Sequence, residues 1–282
     1  MQLEDWTLHT ISGGRFLTDG GAMFAVVPKP LWTRKVTPDP LNRIQQATHC
    51  LLIQTGEKNI LIDSGYGSKL SEKQRKLHGS EAGNPLETSL AEAGVSREQI
   101  DAVLLTHLHF DHAGGLTRKR EDNTLELEFP NAEIVVQRGE WETARANWPE
   151  LRGVYSQENL DPLAESDNLR LIEGDGEFLP GVRTLVTGGH TEFHQAIVIE
   201  RGGETLVYLG DICPTHWHLP TAWCIGYDLF QLQTRRMKQK LLPEIAQNNW
   251  WALFDHDPKY AAARLTLDER DEPAIGEAVV KL

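Results

Sequence analysis

The chain has 282 residues, 40% hydrophobic and 24% charged, the make-up of an ordinary globular protein. Its 28 basic and 41 acidic residues leave a formal charge of −13, which repels a phosphate backbone and argues against a nucleic-acid partner. Three cysteines without a Cys-x-x-Cys pair argue against a disulfide framework. The absence of a signal-like N-terminus and of a run near the ~20 apolar residues that span a bilayer adds the expectation of a cytoplasmic protein with no membrane contact.

In chain order, four prolines between residues 28 and 40 predict an extended segment. His49–Thr55 and Asn59–Ile62 flank Gly56-Glu57-Lys58 and read as a hairpin. Ser68–His78 is rich in Lys, Glu and Gln, and Leu86–Ala93 has helical spacing ending at Gly94. Ile100–Leu105 is a short apolar run, read as a buried strand, and Ala132–Gln137 is another. Glu140–Asn147 reads as a helix. Val182–Val186, Gln195–Glu200 and Thr205–Leu209 read as three strands, Thr234–Ala246 as a helix despite Pro243, and Trp250–Phe254 as a strand. Helices and strands interleave with no obvious linker, which predicts one layered α/β domain over 1–282.

The densest chemistry lies in Thr106-His107-Leu108-His109-Phe110-Asp111-His112, which holds three of the 11 histidines. Imidazole and carboxylate are the ligands that borderline divalent metals prefer. His107 and His109 are two apart, so an extended segment puts both on one face, where they could share an ion. Asp111 and His112 follow at the start of a turn before Gly114-Gly115, point elsewhere, and suit a second ion. The cluster sits just past an apolar strand, where open α/β sheets tend to place their sites. His190, Asp211 and His256 each follow a further predicted strand and each offers one ligand.

The order His-x-His-x-Asp-His, then His190, Asp211 and His256, with the earlier Asp63 of Leu61-Ile62-Asp63-Ser64-Gly65, resembles the metallo-β-lactamase-fold hydrolases with a dinuclear site. The resemblance implies an αββα sandwich. It also implies His107, His109 and His190 on one metal, Asp111, His112 and His256 on the other, and Asp211 bridging both. Flavodiiron-type members have a Glu where this chain has His109, so the resemblance favours hydrolysis over oxygen chemistry.

A closer similarity is to quorum-quenching N-acyl-homoserine lactonases of the YtnP type. Asp19-Gly20-Gly21-Ala22-Met23-Phe24, Val26-Val27-Pro28-Lys29-Pro30-Leu31-Trp32 and Pro214-Thr215-His216 carry it. It implies two divalent ions, zinc first among them, and attack of a metal-bridging hydroxide on the lactone carbonyl. Asp111 and Asp211 would be catalytic, Asp111 by relaying a proton to the leaving ring oxygen. Asp63 and His194 are expected to orient ligands rather than bind metal. The expected partner is a small lactone or ester, with a homodimer left open.

Small lactonases of this fold often carry a carbonyl-assisting Tyr three residues after the bridging Asp, and here that position is Pro214. His216, His218 and Tyr227 are the alternatives for its role. Met23, Phe24, His216 and Trp217 are taken as substrate-binding, with Trp32 and Trp223 as further candidates for an acyl groove. The competing reading is a phosphotriesterase of the methyl-parathion-hydrolase kind. A nuclease is disfavoured by the charge, and a non-catalytic sensor by the full set of ligands.

Overall fold

The structure, a computed structural model, describes residues 1–282. Its internal contacts divide the chain into two compact units: Met1–Arg15 with Thr48–Gly174, and Phe16–Ala47 with Asp175–Leu282. No helix is long and apolar enough to cross a membrane.

The first seven-stranded sheet contains β1 (Gln2–Leu3), β2 (Trp6–Asp19), β3 (Arg43–Gln54), β4 (Asn59–Ile62) and β5 (Ala102–Leu104). A separate hairpin of β6 (Thr117–Lys119) and β7 (Leu125–Leu127) precedes its last members, β8 (Glu133–Gln137) and β9 (Leu169–Ile172). The spatial order is β1-β2-β3-β4-β5-β8-β9. β3 and β4 form the expected antiparallel hairpin, in register from Leu51↔Ile62 to Gln54↔Asn59. β4, β5, β8 and β9 run parallel. Parallel strands covered on both faces read as unbroken apolar runs, which is why Ile60-Leu61-Ile62 and Ala102-Val103-Leu104 were legible.

Leu52, Leu61, Val103 and Ile134 pack with Leu86, Leu90, Leu160 and Leu163 in this unit's core. The helix Pro85–Glu92 begins with Asn84 accepting the Glu87 amide and with Pro85 at its first position, where no N–H is needed. Gly94, at φ 76°, lies just beyond its end. The helix Glu72–His78 starts with a capping box of Ser71 and Gln74 and stops at Gly79, φ 53°.

The second sheet is built from β10 (Gly176–Leu179), β11 (Val182–Val186), β12 (Gln195–Arg201), β13 (Glu204–Tyr208), β14 (Trp251–Leu253), β15 (Ala262–Leu267) and β16 (Pro273–Val279), paired in that order. All pairs are antiparallel except β13 and β14. That parallel pair needs a crossover, supplied by the helix Gln231–Gln247. Leu241, Leu242 and Ile245 of this helix are buried in the core with Val198, Val207 and Phe254, and this packing offsets the hydrogen bond lost at Pro243. Met23, Phe24, Trp32, Ile44 and Ile225 form a second cluster in the same unit.

Three expectations change. The proline segment is not wholly extended: Lys29–Trp32 forms one helical turn, with Pro30 in the first turn, where its missing N–H costs nothing. The predicted helix at 140–147 starts at Arg138 and ends at Ala146, because Asn147 takes the left-handed conformation at φ 50°. β1, β2, β6, β7, β9, β10, β15 and β16 were not anticipated; β9 and β10 are four-residue strands without a fully buried residue, so they show no apolar run.

Candidate metal centre

Each candidate ligand lies just beyond a strand. β4 leads to Asp63, β5 to His107–His112, β11 to His190, β13 to Asp211 and β14 to Asp255 and His256. Loops at strand C-termini are free of the sheet's hydrogen-bonding ladder, so their side chains can converge.

In the first unit, Asp63 is the hub. Its backbone is left-handed at φ 56° and the residue is 1% exposed. Its carboxylate accepts the Thr106 amide, the Thr106 hydroxyl and His112 Nδ1, each at 2.8 Å. The Thr106 hydroxyl, having donated to Asp63, accepts from His107 Nδ1 at 3.0 Å. Both imidazoles thereby carry the proton on Nδ1, and Nε2 is the nitrogen suited to a metal. The rings of His107 and His112 are 4.1 Å apart and those of His107 and His109 4.5 Å. The donor atoms of His107 and His109 lie within 4.8 Å of one another. Asp111 Oδ1 stands 4.0 Å from His112 Nε2.

The turn carrying these ligands is fixed main chain to main chain. The Ser64 amide and hydroxyl both donate to the His112 carbonyl at 2.7 Å. A Cβ on Gly115 would overlap the Ser64 carbonyl oxygen, and one on Gly114 would overlap that of Tyr66. Glu140 Oε1 accepts the Leu108 amide at 3.0 Å and the Tyr155 hydroxyl at 2.9 Å, bracing the segment from the other side.

In the second unit, Asp211 stands between two histidines. Its Oδ2 is 2.9 Å from His190 Nε2 and its Oδ1 is 3.2 Å from His256 Nε2. His190 Nδ1 donates to Asp228 at 2.9 Å, and His256 Nδ1 to the Ala47 carbonyl at 2.7 Å. His194 Nε2 accepts the Asp211 amide at 3.1 Å, while its Nδ1 donates to Thr187 at 2.6 Å, so it orients the Asp211 turn. Burial disfavours the charged His190, yet Asp211 and Asp228 outweigh it and hold the imidazolium up to about 10. Asp211 is buried too, but His190 and His256 keep its carboxyl well below the usual range. A cation seated between them would displace the imidazole proton.

The donors are nitrogen and oxygen only. Burial pushes the Cys213 thiol up to about 12, so no thiolate is offered beside Asp211. An all-imidazole-and-carboxylate set, with Nδ1 of His107, His112, His190 and His256 committed outward, fits divalent ions of the zinc, manganese, iron or cobalt type. Asp228, Glu140, Asp255 and Asp257 were missed in the sequence. The donor atoms of Asp211, Asp255 and His256 lie within 4.8 Å of one another, and adjacency to His256 was the one available signal.

The predicted substrate-binding residues have two fates. Met23 and Phe24 are 4% and 0% exposed, and Phe24 stacks on Trp32 and His218. His216 and Trp217 are only partly buried. Of the three alternatives for the Tyr role, His218 is fully engaged: its Nδ1 meets Thr215 at 2.7 Å and its Nε2 the Met23 carbonyl at 2.8 Å. Tyr227 is exposed. His216 is held by Asp257, which accepts its amide at 2.7 Å and its Nδ1 at 2.5 Å.

A family model described as the metallo-beta-lactamase superfamily matches residues 44–242. An N-acyl homoserine lactonase of Bacillus cereus is 32% identical over 61% of this chain and 66% of its own length, just short of two thirds. One from Bacillus thuringiensis is 31% identical over 68% of this chain and 70% of its own. Among solved structures, a probable metal-dependent hydrolase from Staphylococcus aureus superposes with TM-score 0.88 at 36% identity, over 99% of this chain and 100% of the other. The dizinc quorum-quenching lactonase AidC, bound to N-hexanoyl-L-homoserine, gives TM-score 0.80 at 21% identity over 98% and 96%, which speaks for the fold alone. The matched family model spans most of the chain, and the protein belongs to the metallo-beta-lactamase superfamily.

Proposed function

We propose that this metal-dependent hydrolase opens the ester ring of N-acyl-homoserine lactones, with two divalent ions, zinc first among them. His107, His109 and His190 would hold one ion, Asp111, His112 and His256 the other, with Asp211 shared. The observation that carries the reading is Asp211, whose two oxygens face two different histidines at 2.9 and 3.2 Å. A carboxylate so placed suits two cations rather than one. Lactonases at 31–32% identity are the relatives that turn this donor set toward a lactone.

When bound, the ions would supply Lewis acidity and a water of lowered pKa. The chain's own residues would do the rest. Asp111, at the rim of the first donor group, would carry a proton to the leaving ring oxygen. Asp211, oriented by His194, would keep the two histidines of its unit facing their ions. Met23 and Phe24 would back the substrate site, while His216 and Trp217 would touch the substrate. His216, fixed by Asp257, is the one of the three alternatives both anchored and accessible.

An aryl phosphotriester is the second reading, favoured by Pro214 where lactonases often have Tyr. A turnover panel of acyl-homoserine lactones, aryl phosphotriesters and thioesters, run with measured metal content, decides between them. Phosphotriester rates above lactone rates would overturn the first reading. A cytoplasmic location fits three buried free thiols. A homodimer fits the exposed Val26, Leu31, Tyr227, Leu229, Phe230 and Leu232, which the Gly226–Ala22 hydrogen bond helps gather on one unit.

A further inference from the structure

A cavity of about 330 Å³ lies within the first unit, lined on one side by Phe110 and Tyr155. Phe110 separates the candidate ligands His109 and Asp111, and the Tyr155 ring packs 5.1 Å from that of His109. His78, also in the wall, packs its ring 5.4 Å from that of Phe110 at a tilt of 38°. The cavity therefore begins one side chain from the candidate ligands His109 and Asp111, and its volume falls in the ~300–1,000 Å³ range of ligand sites.

Its chemistry is unlike that of an alkyl groove. Arg152 is held by Nε, which donates to the Asn147 carbonyl and side-chain oxygen at 3.1 and 3.2 Å, and no carboxylate pairs with its guanidinium. Lys69 Nζ donates to the Gly114 and Thr117 carbonyls at 2.5 and 2.6 Å, leaving one of its three hydrogens. Glu158, the one acidic residue in the wall, is engaged 3.5 Å away by Lys119. In a chain of net charge −13, this leaves the Arg152 guanidinium without a carboxylate in a wall it shares with Lys69, Phe110 and Tyr155, while Glu158 and Glu128 act on Lys69. Burial pushes the Lys69 ammonium down to about 8, which still leaves it mostly charged near neutral pH.

We propose that this cavity holds the far end of the substrate's acyl group and selects acyl groups that end in a carboxylate. Methylenes would lie along Phe110 and Leu70, and the terminal carboxylate would meet Arg152 and Lys69, a charge-assisted pairing with the planar guanidinium as its directional half. The inference rests on the lactonase reading for the identity of the leaving group, but not for the chemistry of the cavity.

The test compares kcat/KM of the metal-loaded enzyme for N-adipoyl- and N-hexanoyl-homoserine lactone, which match in length and differ in the end group. The expected result is at least a tenfold preference for adipoyl, carried mainly by KM. In Arg152→Gln the adipoyl-to-hexanoyl ratio falls about tenfold, and in Arg152→Glu it inverts. Arg152 is exposed, so both variants should fold. A hexanoyl preference, or a ratio that neither variant moves, overturns the inference while leaving the lactonase reading standing. If neither lactone opens, the lactonase reading fails, and the same ratio is read on p-nitrophenyl adipate and hexanoate. If no ester turns over, calorimetry of adipate against hexanoate on the metal-loaded protein decides, with equal binding or a hexanoate preference counting against the inference.

Discussion

The two donor groups are built by opposite means. In the first unit, His107, His109, Asp111 and His112 come from one six-residue run, and the loop that holds them is locked to the Asp63 turn by Ser64, by the Asp63 carboxylate and by close backbone contacts at Gly114 and Gly115. In the second, His190, Asp211 and His256 come from three strand ends up to 66 residues apart, and each is steered by its own distant partner: Asp228, His194 or Ala47. A local motif can be rigid by itself. A dispersed one is only as good as the sheet that carries it.

Four predictions press on this contrast, from the largest effect to the smallest. Asp211→Ala removes the carboxylate that faces both histidines of its unit. Metal content should fall from two ions toward one or none by plasma emission, with kcat/KM down by well over the ~100-fold typical of supporting residues. Retention of two ions would show that the second group does not depend on a shared carboxylate. His109→Ala should abolish most activity yet keep the melting temperature within a few degrees, because the turn is held by Ser64 and Asp63 rather than by this imidazole. Near-full activity would remove His109 from the site.

Asp228→Asn and Asp63→Asn should each weaken metal binding by about 10–100-fold in competitive chelator titrations. The Asp63 change should also lower stability, since it disturbs three hydrogen bonds where Asp228 has one to His190. Equal stability losses would erase the distinction between the interlocked and the dispersed group.

The smallest effect is on pH dependence. Burial holds the His218 imidazole down to about 3, against an ordinary 6.5. The folded protein refuses a proton that the unfolded chain accepts below 6.5, so this contribution is complete above that pH. It is lost progressively toward 3, at up to about 1.4 kcal/mol per pH unit. Urea unfolding of His218→Gln between pH 7 and 4 should show a shallower slope by about one proton; an unchanged slope would show that this histidine is not buried neutral.

Legibility followed the same division. The apolar runs of β4, β5, β12 and β13 were read because their strands are largely or wholly buried and leave no polar alternation to confuse. β16 was missed, since Pro273–Val279 has no fully buried residue and gives no apolar run. Thr106–His112 announced itself through density. His190, Asp211 and His256 were single residues that gained meaning only from their order and from family resemblance. Asp228 and Glu140 were invisible because nothing local marks a lone carboxylate that reaches 38 or 32 residues along the chain to its partner. Asp257 was overshadowed by the neighbouring His256.

The left-handed Asp63 and the side-chain-free contacts of Gly114 and Gly115 have one more implication. A loop wedged backbone against backbone surrenders its conformational entropy during folding, so a cation arriving later does not have to supply that ordering. The first donor group is thus a preformed cradle, and tightness of binding there would be decided at the moment of folding. Replacing Gly115 by Ala would carry its harm into folding yield rather than into turnover of the molecules that succeed.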